Sequence, residues 1–112
     1  MKRIYVAGPY NAANVIDVLS NVRVGIDTSI KAIEAGFSVF CPFLDFHYGL
    51  ISSLSIEQYR ANSMAWVAVS DAILLLPGWQ RSEGVREELR VASIHGIPSY
   101  ESLDELQNAL GS

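Results

Sequence analysis

The sequence predicts one α/β domain over residues 1–112, a three-layer sandwich around a mainly parallel sheet of about four or five strands. Three observations predict it. Short β-branched or leucine-rich runs alternate along the chain with stretches of helical period. The run "AILLL" at 72–76 is apolar at every position, as in a strand covered on both faces. Three of the helical stretches open on Ser, and two helical stretches close on Gly, which are the expected caps.

The elements follow in order. "RIYVA", residues 3–7, is a strand that ends in the turn Gly8-Pro9. From about Asn14 to Ala35, Val15, Val18, Val22, Ile26, Ile30 and Ile33 recur at steps of three and four. That spacing predicts a long amphipathic helix with these residues on its apolar face and Gly36 at its close. "FSVFCP" is a second strand, and "FLDFHYGLISS", which has no clean period, is a loop. Ser55 and Gln58 match the capping-box pattern, with Leu54 and Tyr59 placed as a hydrophobic staple. A helix therefore runs from about Ile56 to Val69. "DAILLLP" is a third strand, a helix follows from about Glu83 to His95 with Gly96 beyond it, and "IPSY" is a fourth strand. "SLDELQNAL" closes the series as a helix capped by Ser102.

Composition narrows the function classes. The net charge is −4, and the eight Lys and Arg are scattered, which argues against binding a nucleic-acid polymer. Helix N-termini can still hold the phosphate of a small nucleotide. The lone Cys41 has no internal disulfide partner, no Cys/His set has metal-ligand spacing, and neither a metal nor a cofactor is expected. Cys41 reads as a small buried hydrophobe. No apolar run approaches the ~18–20 residues of a membrane span, and the N-terminal apolar run is too short for a signal peptide. The expectation is a cytoplasmic protein that does not bind membranes.

Ligands of parallel sheets sit at the carboxyl ends of the strands. That rule gathers Gly8-Pro9-Tyr10, residues 42–53 and residues 77–84 around one crevice. On a helical wheel begun at Val85, Leu89 and Ala92 lie within about 40° of Val85, and Glu88 lies about 60° from it. Glu88 thus stands on the shoulder of the inner face. A carboxylate there is costly unless it is paired with a neighbour or used in chemistry, and both readings stand. Glu83 and Glu87 suit the helix dipole and a solvated face. Ser82 reads as an N-cap, and with Gly84, where backbone can come close to a ligand, it also suits an anion. There is no P-loop lysine, and "AGPYNA" is not a dinucleotide fingerprint.

"IYVAGPY", "SDAILLLPGW" and "RSEGVREELRVA" together resemble the nucleoside 2-deoxyribosyltransferase-like superfamily from end to end of the chain. That superfamily contains base-exchanging transferases and N-glycosidases that hydrolyse nucleoside 5′-monophosphates. It also contains small phage and bacterial proteins with the same Leu-Pro-Gly-Trp and Ser-x-Gly-x-x-x-Glu pattern, to which this chain is most similar. The resemblance implies a small Rossmann- or flavodoxin-like fold and cleavage or transfer at an N-glycosidic bond through a glycosyl-enzyme intermediate. It places the nucleophile at Glu88 and the 5′ end of the substrate at Ser82 and Gly84. Gly8, Pro9 and Tyr10 fall on the sugar and phosphate side. It also implies a nucleoside or nucleotide ligand and a homodimer or higher homo-oligomer.

One departure matters. Many members carry an aspartate eight residues ahead of the Asp that opens the third strand, and that position is Ser63 here. Serine can bond a sugar hydroxyl or orient Glu88, but it cannot act as an acid. Asp45 and His47 are the candidates to replace it, and Phe46, Tyr48 and Trp79 are candidates to stack on a base. The plainer readings are a loop histidine for His47 and a packing residue for Trp79. A non-catalytic nucleotide-binding module of the same fold is the competing expectation.

Overall fold

The computed structural model describes residues 1–111. Four parallel strands, β1 (Arg3–Ala7), β2 (Ser38–Phe40), β3 (Ala72–Leu75) and β4 (Ser99–Tyr100), lie in the order β2-β1-β3-β4. Helices α1 (Val15–Glu34), α2 (Ile56–Val67), α3 (Glu83–Ile94) and α4 (Leu103–Leu110) cover the two faces. The fold is the small Rossmann- or flavodoxin-like sandwich that the alternating pattern predicts, with four strands in an all-parallel sheet.

The period of two along β1 divides the core. Tyr5 and Ala7 pack with Ile73, Leu75, Val67, Val85 and Ala92, on the side of α2 and α3. Ile4 packs with Ala32, Ala72, Leu74 and Leu106, on the side of α1 and α4. Val6 joins Val22, Phe43 and Leu76 in a third cluster. The caps hold the helices where the sequence puts them. Asn14, Ser55, Ser82 and Ser102 each accept a backbone N–H of the first turn, and Ser55 with Gln58 forms the full capping box. Gly36 and Gly96 take positive φ just past α1 and α3.

Two expectations are corrected. The buried face of α1 only partly matches the expected one, which keeps Val22 in the core and Ile26 packed against it. Val22, Gly25, Ser29 and Ala32 are buried, whereas Val15, Ile30 and Ile33 are 67, 50 and 56% exposed. Size decides the matter. A Cβ on Gly25 would stand 2.2 Å from the Phe43 ring, so only a small-residue row lets the helix approach that ring. Residues 42–50 are also not a plain loop. They form a run of 3-10 turns, Pro42–Leu50, with Pro42 in the first turn and the buried Phe43 as its anchor. A period near three has no counterpart among the sequence patterns of helix and strand, so the segment reads as aperiodic.

Candidate active site

The carboxyl ends of β1 and β3 open into a cavity of about 1060 Å³. Its walls are the turn after β1, the 3-10 segment, α2 and the first turns of α3. Gly8 lets the strand ends close at its base, since a Cβ there would meet the Leu76 side chain at 2.6 Å. Beyond β3, Gly78 turns the chain with φ 84° into the short 3-10 turn Trp79–Arg81. The Arg81 guanidinium folds back over it, with Nη2 3.1 Å from where a Gly78 Cβ would stand.

Glu88 points into this cavity from α3. It is only 9% exposed, and it is more deeply buried than Leu89, which the wheel places closer to the inner face. Its partner is Tyr5, from the central strand β1, whose fully buried phenol donates to Glu88 Oε2. Oε1 has no bond within the described residues. Since no buried side-chain oxygen there is left unsatisfied, Oε1 is open to the cavity. Among the described residues no cation pairs with Glu88. The ion pairs among the described residues are Lys31–Asp27 and Arg90–Glu87, both on the surface. The carboxyl is therefore held by a neutral donor and is not cancelled by an arginine.

The electrostatics follow from that arrangement. Burial pushes the Glu88 carboxyl up to about 7, and the hydrogen bond from Tyr5 opposes the rise by favouring the ionised form. The Tyr5 phenol is pushed far above its ordinary value by burial and then by the charge and hydrogen bond of Glu88, while Ser63 acts the other way by hydrogen bonding. Tyr5 thus remains a donor at any ordinary pH. A stacked row of rings steadies it. Tyr5 and Phe40 lie 5.5 Å apart, and Phe40 and Trp66 lie 5.2 Å apart, both nearly parallel.

The structure brings most of the expected residues together. Gly8, Pro9, Tyr10, Asp45, Ser63, Ser82, Gly84 and Glu88 all line the cavity. Ser82 also serves as the α3 cap, accepting from the Val85 N–H. Space around Gly84 is open, because a Cβ there would meet only the Ser82 hydroxyl, at 3.8 Å. Asp45 is half-buried, has no hydrogen bond or ion pair among the described residues, and is raised above the usual carboxylate range by burial.

His47 and Trp79 do not join them. His47 is exposed outside the cavity lining, with Nδ1 3.1 Å from the Leu44 carbonyl of its own 3-10 run. Trp79 packs against the core beside α3 and donates to Glu101 at 2.9 Å, so it is a packing residue. Of the aromatic candidates only Phe46 faces the cavity, beside Tyr10 and Tyr59.

Sequence reasoning missed Tyr5. A tyrosine in a strand covered on both faces needs a partner for its hydroxyl, and that requirement is the signal that singles it out. Arg60 and Arg81, also on the walls, supply positive charge near the α3 N-terminus.

A comparison with the curated proteins finds no match. The chain belongs to the family described as domain of unknown function DUF4406, which matches residues 2–100 and so spans every strand and every wall of the cavity.

Proposed function

We propose that the protein cleaves or transfers at the N-glycosidic bond of a (deoxy)nucleoside or nucleoside 5′-monophosphate, with Glu88 as the nucleophile. One observation carries this reading: a buried carboxyl, held by a phenol and by no cation, presents a free oxygen to a cavity large enough for a nucleotide. A group titrating near 7 is ionised in a substantial fraction of molecules at neutral pH and is poorly solvated, which suits attack on an electron-poor carbon.

Oε1 of Glu88 attacks C1′ as the bond to the base loosens, and the electron pair of that bond departs with the base nitrogen. The resulting sugar ester is released by water in hydrolysis or by a second base in transfer. Tyr5 holds the carboxyl in place throughout. Phe46, Tyr10 and Tyr59 offer ring faces for the base. Arg60, Arg81 and the first turn of α3 suit a 5′-phosphate. The resemblance to the deoxyribosyltransferase-like proteins supports the same assignment. It further implies a homo-oligomer, for which the exposed α1 row of Val15, Leu19, Ile30 and Ile33 is a suitable contact.

The test is release of free base, followed by chromatography, from a panel of nucleosides and their 5′-monophosphates, with Glu88→Ala alongside. Release by wild type and its loss in the variant are expected. Ser63, where an acidic residue is usual, favours the second reading of a nucleotide-binding module without turnover. Saturable binding with no base released would establish that reading instead.

A further inference from the structure

We infer that Asp45 is the proton donor to the departing base, an assignment that rests on the N-glycosidic reading above. A natural base leaves slowly as an anion, so an acid must meet its ring nitrogen as the bond to C1′ breaks. Ser63 cannot supply one, because an aliphatic hydroxyl does not ionise in the useful range. Tyr5 is held far too high to give up its proton.

Few acids remain on the cavity wall. The Asp17 carboxylate is exposed and accepts from Asn14 at the start of α1, at 3.0 Å. Glu83 is exposed in the first turn of α3. His47 lies outside the lining. Asp45 differs from all of these. It sits in the cavity, half-buried and without a partner, and close enough for its charge to act on the same phenol that holds Glu88. The next lining residues along its segment are Phe46, which offers an aromatic face, and Gly49, at which a Cβ would meet nothing within 4 Å. Burial favours the protonated form of Asp45, the form the step needs.

The chemistry balances. In the first step the Glu88 oxygen bonds to C1′, the C1′–N bond breaks toward the base, and the Asp45 proton moves to the base nitrogen. The base departs neutral and Asp45 is left as a carboxylate. In the second step that carboxylate takes a proton from water as the water oxygen bonds to C1′ and Glu88 is released. The site is then restored.

Substrates that differ in their need for that proton provide the experiment. Kinetics of Asp45→Asn, Glu88→Gln and wild type are compared on ordinary purine and pyrimidine nucleosides and 5′-monophosphates. They are compared also on 7-methylguanosine and nicotinamide riboside with and without 5′-phosphate, whose bases leave without protonation. Near-UV circular dichroism verifies the fold of each variant. Asp45→Asn is expected to lose on the order of 10²–10³-fold in kcat on the ordinary substrates and less than about tenfold on the activated ones. Glu88→Gln is expected to lose both. Equal loss on both classes by Asp45→Asn, or no loss on either, overturns the assignment. If wild type accepts only ordinary substrates, lost kcat with KM held within about threefold supports it, and raised KM with kcat kept overturns it. Wild type inert on every substrate overturns the N-glycosidic reading itself, and the role of Asp45 falls with it.

Discussion

Replacing Glu88 by glutamine should make the protein's stability less dependent on pH. Glutamine keeps the shape of the side chain and can still accept the Tyr5 hydroxyl, but it carries no titrating proton. Below about pH 4.5 the wild-type carboxyl is protonated in both the folded and the unfolded chain, and the neutral group is fully tolerated. Between 4.5 and about 7 the unfolded chain releases the proton while the folded chain keeps it, so stability is lost as pH rises through this window. At about 1.4 kcal/mol for each tenfold change in proton affinity, the rise from 4.5 to about 7 amounts to roughly 3.5 kcal/mol at most. The advantage of the variant over wild type should therefore grow by up to that amount from pH 4.5 to pH 8 and then level off. Urea unfolding at several pH values measures it. With a slope of about 1.5 kcal/mol/M, the midpoints would separate by about 2 M. The subtraction cancels every other carboxyl. A gap that stays constant with pH would refute the premise that this carboxyl is neutral and desolvated in the folded chain.

Three more predictions rest on neighbouring contacts. Tyr5→Phe removes the one hydrogen bond that lowers the Glu88 pKa, so the pH at which base release rises should move to more alkaline values, with activity at pH 7 falling accordingly. A full pH–rate profile of that variant beside wild type checks the direction. Gly84→Ala meets no protein atom closer than 3.8 Å and should hold or raise the melting temperature while weakening nucleoside 5′-monophosphate binding in calorimetry. Unchanged binding would mean that no ligand approaches this backbone. Gly25→Ala places a methyl against the Phe43 ring and should cost about 1–3 kcal/mol in chemical unfolding, with Phe43→Leu in the same chain recovering part of it.

How much of this was legible in the sequence depends on which physical signal each feature leaves. Element boundaries were readable because caps are local. Ser55 with Gln58, Ser82 and Ser102 each bond within a few residues of themselves, and all three caps form in the structure. Glu88 was readable because the helical wheel turns spacing into direction. The 3-10 wall was not, since its repeat matches neither pattern sought. The buried face of α1 was partly misread because hydrophobicity marks what can be buried, whereas close approach to Phe43 requires small side chains. Tyr5 was hidden for a different reason. Both faces of β1 are covered, so no alternation marked the face that meets α3. Asp45 and His47, two residues apart and similar in promise, were separated only by the turn of the 3-10 run, which leaves one in the cavity and the other on the surface.

The place of β1 between β2 and β3 bears on how the protein is made. β1 is made before β3 and is unpaired along that edge until residues 72–75 leave the ribosome, and Tyr5 meets its acidic partner only 83 residues later. At ~5–20 residues per second that interval lasts on the order of ten seconds, during which an apolar edge stays open to strangers. A nascent chain halted before α3 would carry the donor of the pair with nothing to receive its hydrogen bond. Assembly of the site thus waits for α3.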